Sequence, residues 1–124
     1  MIILEEDREK ALEAGWEALK ERAPQLKGFQ FDDFEVKAFK ENDLTIGMLL
    51  IKGPELHVAI LPKYRKRWLS KRIIKMIIGE RLEKYGYAIT SVMLDNKIGQ
   101  DFAERLGFKR QSYSDGIIHY RMTP

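Results

Sequence analysis

One stretch of the sequence, Ile60-Leu61-Pro62-Lys63-Tyr64-Arg65-Lys66-Arg67-Trp68-Leu69-Ser70, joins an apolar run to a helical pattern. Residues 56–61 are apolar except for one histidine, and such a run is typical of a buried central strand. Beyond the stretch, apolar residues recur at helical spacing and predict a helix from about Trp68 to Tyr85, ended by Gly86. The expected buried face of that helix carries Leu69, Ile73, Met76 and Ile77.

The basic side chains of this junction make it a candidate anion site. The first N–H groups of a helix have no partner within the helix, and the helix dipole adds positive character, so phosphate binds there. Residues 63–75 contain no acid and carry Lys63, Arg65, Lys66, Arg67, Lys71, Arg72 and Lys75. Such a run favours an anionic ligand, although a solvated face with no ligand has the same composition.

The residues on either side predict the remaining elements. Leu12, Trp16 and Leu19 follow helical spacing within residues 5–22, so Trp16 is predicted to lie in the core, and Pro24 is predicted to end the helix. Turn residues divide the rest into a strand at 1–4, a hairpin at 34–38 and 45–51, a strand at 88–94, a helix at 98–106 and a hairpin at 109–113 and 117–122.

The order of these elements predicts the fold class. A strand, a helix and a second strand in succession form a βαβ unit, whose two strands lie parallel and adjacent. We therefore expect an α/β (α+β) protein with a mixed central sheet flanked by helices, and with a parallel pair at about 56–61 and 88–94. The chain of 124 residues suits a single domain, residues 1–124.

Composition excludes several classes of protein and site. With no cysteine, the chain has no disulfide or thiolate chemistry, and two histidines argue against a metal site. Met1–Leu4 is followed at once by acidic residues, unlike a signal peptide, and the apolar runs are too short to span a bilayer, so we expect a cytoplasmic protein with no membrane partner. The net charge is only +3, which argues against nucleic acid as the main partner.

Two segments together resemble the GNAT acetyltransferase superfamily, over about residues 44–123. The family motif V-x-P-x-x-R-G-x-G-x-G/A is matched or nearly matched by Ile60, Pro62, Arg65 and Ser70. Lys66 and Trp68 stand where the family has glycine. The second segment is Asp95-Asn96-Lys97-Ile98-Gly99-Gln100-Asp101-Phe102-Ala103-Glu104-Arg105-Leu106-Gly107-Phe108, whose asparagine and terminal Gly-Phe are spaced as in the family. The tryptophan-bearing basic loop is similar to short acetyltransferase-like proteins of tailed phages.

The resemblance implies a site for coenzyme A. It implies that acetyl-CoA is the cosubstrate and that its pantetheine arm lies between the strands at 56–61 and 88–94. The cofactor-binding residues expected from it are Val58, Ile60, Arg65, Lys66, Arg67, Trp68, Ser70, Lys71, Asn96 and Phe102. We expect the Trp68 ring to cover the loop edge; the alternative is that it fills the phosphate site. Asn96 has an equal alternative as a helix cap.

The implied activity is transfer of an acetyl group to a primary amine by direct attack. Glu55 and His57 are the candidate catalytic residues, as bases for the amine, and a packed or solvent-facing histidine is the alternative. Ala103 replaces the tyrosine that protonates the leaving thiolate in many members, and Tyr85, Tyr87, Tyr113 and Tyr120 are possible substitutes. The alternative function is an inactive GNAT-like binding module with a protein or nucleic-acid partner, because Tyr64 and Trp68 among arginines suit base stacking.

Overall fold

The computed structural model describes residues 2–65 and 71–124, with the exception of the Lys71 side chain. These residues form three α-helices and seven strands. The helices are α1 (Arg8–Leu19), α2 (Lys71–Tyr85) and α3 (Lys97–Leu106). The strands are β1 (Ile2–Glu5), β2 (Glu35–Glu41), β3 (Leu44–Lys52), β4 (Glu55–Ile60), β5 (Ala88–Met93), β6 (Lys109–Ser114) and β7 (Ile117–Met122). Short 3-10 turns occur at Pro24–Leu26 and Pro62–Tyr64.

The strands hydrogen-bond in the order β1-β2-β3-β4-β5-β7-β6. β4 and β5 are parallel, with Glu55 opposite Ile89, whereas β1–β2, β2–β3, β5–β7 and β6–β7 are antiparallel. The predicted mixed sheet and its parallel pair are therefore confirmed. β6 ends the order, and all six of its residues are exposed.

Two hairpins are made by turn residues with positive φ. Asn42 and Asp43 have φ of 50° and 69°, and Asp115 and Gly116 have φ of 51° and 76°. Positive φ at both central positions is the requirement of a type I′ turn, whose twist matches that of the adjoining strands. Both hairpins lie where the turn residues predicted them.

The buried face of α1 consists of small residues: Ala11, Ala14, Gly15 and Ala18. Leu12, Trp16 and Leu19 are only half-buried, so the prediction that Trp16 lies in the core is wrong. A face without large side chains lets the helix approach β3 closely, since a Cβ at Gly15 would lie 2.6 Å from the Met48 sulfur. The large residues therefore lie on the flank of the helix, from which Leu12 and Leu19 still pack against the core.

The predicted boundaries of α1 also need correction. Glu5 belongs to β1, and Asp7 caps the helix by accepting a hydrogen bond from the Lys10 N–H at 3.2 Å. The helix ends at Leu19, and Pro24 opens the following 3-10 turn instead of ending the helix. Proline is suited to that position because its fixed φ matches the first residue of a helical turn.

The buried side chains of α2 are Ile74, Ile77 and Ile78. Ile73 is half-buried and Met76 is 58% exposed, so the prediction that Met76 lies on the buried face is wrong. With 3.6 residues per turn, position 76 lies on the side of the helix opposite to Ile74 and Ile78, where its side chain reaches solvent. Leu69 lies outside the described residues.

The chain divides into two compact units. The first comprises Met1–Lys52 and His57–Ile73, and the second comprises Gly53–Leu56 and Ile74–Pro124. The first unit has α1 packed on β2 and β3, over a core that includes Ala38, Met48 and Leu50. The second has α3 beside β5, with β6 and β7.

Candidate functional site

The end of β4 is held by backbone hydrogen bonds where the chain enters the basic junction. The Leu61 N–H donates to the Ile46 carbonyl at 2.9 Å, which ties the strand end to β3. The 3-10 turn that follows is closed by the Tyr64 N–H, which donates to the Leu61 carbonyl at 2.9 Å. Pro62 opens this turn with the φ that its ring fixes.

Gly47 allows β3 to approach this strand end closely. A Cβ at position 47 would lie 2.7 Å from the Ala59 carbonyl oxygen and would collide with the Ile60 side chain. The Ala59 oxygen belongs to the backbone, so the strand itself would have to shift. A glycine within an apolar strand pattern is a known sign of such an approach, so Gly47 is a residue that the sequence pattern could have identified.

The Arg65 guanidinium is directed at backbone carbonyls. Its Nε donates to the Ile60 carbonyl at 3.1 Å, and one terminal nitrogen reaches the Ala18 carbonyl at 3.5 Å. The side chain is half-buried and links the end of β4 to the end of α1. The structure therefore gives Arg65 a positioning contact that the motif did not predict, and it engages the carbonyl of Ile60, an expected cofactor-binding residue.

Lys63, Arg72 and Lys75 are the other basic residues of the junction whose side chains the structure describes. Lys63 is exposed, and its Nζ lies 5.9 Å from the ring centroid of the half-buried Tyr64. Arg72 and Lys75 are exposed on α2. The expected ligands Lys66, Arg67, Trp68 and Ser70, together with the Lys71 side chain, lie outside the described residues.

The candidate catalytic residues lie near the start of β4 and are half-buried, as is Val58. Glu55 is the residue of β4 that stands opposite Ile89 of β5. The His57 ring packs edge-on against Phe34, with centroids 5.9 Å apart and planes at 66°. The packing contact expected of an ordinary histidine is thus present.

The end of β5 is secured by local contacts. Asn96 caps α3, because its Oδ1 accepts a hydrogen bond from the Gly99 N–H at 3.1 Å. The Gln100 side-chain amide donates to the Met93 and Leu94 carbonyls at 3.2 and 2.7 Å. Gln100 is 2% exposed and is the one buried polar residue in the part of the chain that the structure describes. Sequence analysis did not single it out.

The buried Tyr120 of β7 is hydrogen-bonded to the second half of α3. The Tyr120 hydroxyl donates to a Glu104 oxygen at 2.8 Å, and the Arg110 Nε reaches the same oxygen at 3.2 Å. The Tyr120 hydrogen bond lowers the pKa of Glu104, and burial raises the pKa of Tyr120. Tyr120 is 1% exposed, and its hydroxyl is engaged by Glu104.

The remaining candidate residues are Phe102, Ala103 and the other three tyrosines. Phe102 is half-buried, and Ala103 is 4% exposed. Tyr85 lies beside Arg81 and Lys84, at 5.6 and 5.5 Å from its ring centroid. The Arg121 guanidinium lies 4.2 Å from the centroid of the Tyr87 ring, while Tyr113 is 58% exposed on β6.

Within residues 2–65 and 71–124, no group of three or more His, Asp or Glu side chains is arranged to hold a metal ion. None of the described helices combines the length and the apolar character needed to cross a bilayer.

Comparison with solved structures gives the fold. No family model and no curated protein matches the sequence. PaiA N-acetyltransferase from Thermoplasma acidophilum, in complex with coenzyme A, is similar with a TM-score of 0.76 at 14% identity over 100% of this chain and 99% of that one. A Bacillus subtilis acetyltransferase in complex with coenzyme A has a TM-score of 0.71 at 11% identity over 99% and 97%.

A GNAT-family acetyltransferase from Listeria monocytogenes has a TM-score of 0.69 at 14% identity over 99% of this chain and 95% of that one. All three similarities extend over nearly the whole length of both proteins. The chain has the fold of the GNAT N-acetyltransferases.

Proposed function

We propose that the protein is an acyl-CoA-dependent N-acetyltransferase that transfers an acetyl group from acetyl-CoA to a primary amine. The observation that carries the proposal is the parallel pairing of β4 with β5 in a GNAT fold, with β4 leading into the basic junction. Two of the similar structures are complexes with coenzyme A. The proposal includes a single functional domain, residues 1–124, in the cytoplasm.

The junction after β4 is the proposed seat of the coenzyme A phosphates. Lys63 and Arg72 present exposed cationic side chains on either side of the undescribed residues, so the charge suits a pyrophosphate. Arg67, Lys66, Ser70 and Lys71 are the further proposed ligands, with Trp68 at the loop edge. Arg65 would act partly by holding the Ile60 carbonyl in place.

The pantetheine arm would run along β4 at Val58 and Ile60, with Asn96 and Phe102 as contacts from α3. The amine nitrogen attacks the thioester carbonyl, the C–N bond forms as the C–S bond breaks, and coenzyme A leaves as the thiol after taking up the amine proton. Positioning and charge stabilisation supply the catalysis. Glu55 or His57 would take the proton from an amine that arrives charged.

The proposal is tested by titrating acetyl-CoA into the protein in a calorimeter. Binding is expected, and ligand at a hundred times its dissociation constant should add about 2.7 kcal/mol to the free energy of unfolding. A Lys63→Ala, Arg67→Ala variant should bind more weakly and with less dependence on salt. The matched control is Lys27→Ala, Lys109→Ala, which removes two exposed charges elsewhere. Equal affinity of both variants would show that the junction binds no phosphate.

A Trp68→Gly variant separates the two readings of the tryptophan. If the ring covers the loop edge, the variant keeps or improves acetyl-CoA binding and loses some stability through lost apolar burial. Heat of binding with the variant and none with the natural protein would mean that the ring fills the phosphate site, and would overturn the enzyme proposal.

One observation favours the second candidate, a GNAT-like binding module without catalysis. Ala103 is buried and supplies no hydroxyl at the position of the family acid, and Tyr120 is committed to Glu104. Acetyl-CoA binding without release of coenzyme A in the presence of a panel of primary amines would support this candidate.

A further inference from the structure

A groove of about 540 Å³ lies between α1 and the loop that follows it. Its wall is mainly apolar, formed by Leu12, Trp16, Leu19, Leu26, Phe29 and Phe31. Pockets for small molecules have volumes of roughly 300–1,000 Å³ and walls of this kind. The residues of the groove all belong to the first of the two units, and Trp16 contributes to it because it lies on the flank of α1.

The loop side of the groove is built on one arginine and a row of aromatic rings. Arg8 donates to the carbonyls of Gln30 at 2.6 Å, Phe31 at 2.9 Å and Phe34 at 3.3 Å. The rings of Phe29 and Phe31 have centroids 4.7 Å apart, and those of Phe31 and Phe34 6.1 Å. Because Phe34 packs on His57, this row connects the groove wall to β4.

The charged residues of the groove lining favour a cationic ligand. Arg8 is committed to the loop carbonyls and lies 3.9 Å from an Asp32 oxygen. The other charged residues of the lining are Glu9 and Glu13, both exposed at the rim, with Lys10 at 3.7 Å from Glu13. A groove lined by carboxylates and aromatic rings attracts an ammonium group through the charge of the carboxylates and through the electron-rich rings.

We propose that this groove binds a monoamine with an apolar, aromatic-sized body, with the body against Trp16, Phe29 and Phe31 and the ammonium group at the Glu9 and Glu13 rim. That this amine is the acetyl acceptor rests on the proposed function. Binding in the groove does not rest on it, because the groove and its charges lie outside the basic junction.

The test uses 2-phenylethylamine as the probe, titrated into the full chain in a calorimeter without acetyl-CoA. The expected result is binding that is at least tenfold tighter than that of 2-phenylethanol, the neutral analogue, and of spermidine, which lacks an apolar body. Trp16→Ala should weaken binding of the probe at least tenfold. If that variant does not fold, Phe29→Ala replaces it, since Phe29 is 55% exposed.

The rim is tested with Glu9→Gln, Glu13→Gln, which should bring the affinity for 2-phenylethylamine towards that for 2-phenylethanol. Glu17→Gln is the matched control, because it removes an exposed carboxylate of α1 that is not part of the lining. Equal affinity for the alcohol, or unchanged binding in both the tryptophan and rim variants, overturns the proposal. Probe binding in a protein that binds no acetyl-CoA upholds the groove and contradicts the proposed function alone.

Discussion

β4 and β5 both lead from their carboxyl ends towards a helix, and the two ends are secured in different ways. At β4 the contacts come from distant parts of the chain: Gly47 of β3 lies against the Ala59 carbonyl, and Arg65 bridges to Ala18, 47 residues away. At β5 they come from the next turn of chain, with Asn96 bonded to the N–H three residues on and Gln100 to carbonyls six and seven residues back.

The two strand ends are therefore held in place by different kinds of contact. The end of β4 depends on backbone approach, which tolerates little change because a neighbouring strand would have to move. The end of β5 depends on side-chain hydrogen bonds, each of which can be removed singly. We therefore expect substitutions at β4 to cost more stability than those at β5, in the order that follows.

The largest loss is expected for Gly47→Ala. The new Cβ would lie 2.7 Å from the Ala59 oxygen, so the strands must separate, and overpacking of this kind costs about 3 kcal/mol. Urea unfolding measures the change. Gly15→Ala is the matched control, because its Cβ meets mainly the flexible end of Met48 and alanine favours the helix by about 1 kcal/mol. A smaller loss for Gly47→Ala than for Gly15→Ala would contradict the tight approach.

The next loss is expected for Gln100→Leu. The substitution removes the hydrogen bonds to the Met93 and Leu94 carbonyls, and each bond contributes about 0.5–1.5 kcal/mol, although the Met93 carbonyl keeps the Asn96 N–H as a donor. Gln111→Leu is the control, since Gln111 is exposed and bonds to the adjacent Arg110 carbonyl. Thermal unfolding of the two variants at one pH checks the difference, and equal melting temperatures would mean that Gln100 is not needed at the end of β5.

A moderate loss is expected for Asn96→Ala, because removal of a side-chain N-cap typically costs about 1 kcal/mol. Asn96→Asp should keep the stability, as its carboxylate accepts the same Gly99 N–H. Acetyl-CoA affinity measured in both variants separates the two roles of this residue: a loss of affinity in the aspartate variant, whose cap is intact, would support the proposed cofactor contact.

The smallest effect is expected from Glu104, whose carboxyl is nearly half exposed. Since its pKa is lowered in the folded protein, its hydrogen bond from Tyr120 stabilises the fold above the ordinary glutamate pKa near 4.3 and is lost as the pH falls below it. Glu104→Gln should flatten the acid side of the stability profile from pH 6 to pH 3, and Tyr120→Phe should do the same. An unchanged profile in both would rule out this contribution.

The sequence predicted most of the fold because its signals are local. Asn42-Asp43 and Asp115-Gly116 require positive φ, and Gly107 ends α3 with φ of 108°, so turns and helix ends lie where those residues stand. The Asn96 cap was one of two interpretations, because asparagine is a common capping residue just before a helix, and the structure contains the cap. The cofactor and catalytic assignments, by contrast, came from the resemblance and stay predictions.

What sequence reasoning missed depends on contacts between distant residues. The spacing of Leu12, Trp16 and Leu19 gives a helix face but not its partner, and β3 accepts the small residues instead. For the same reason, the spacing wrongly predicted that Met76 lies on the buried face of α2. The hydrogen bonds from Arg65 to backbone carbonyls could not be predicted either, because a basic residue in a loop gives no sign of which carbonyl groups it will contact.

The exposed strand β6 has a consequence for the behaviour of the protein at high concentration. It ends the sheet order on one side, as β1 does on the other, so its outer backbone edge is a place where a strand of another molecule could add. The strand begins with Lys109 and Arg110, and its register shifts between Arg110 and Ser112. Repelling charges and a broken hydrogen-bond ladder oppose continuous pairing between molecules, which protects the native sheet from growing into fibrous aggregates.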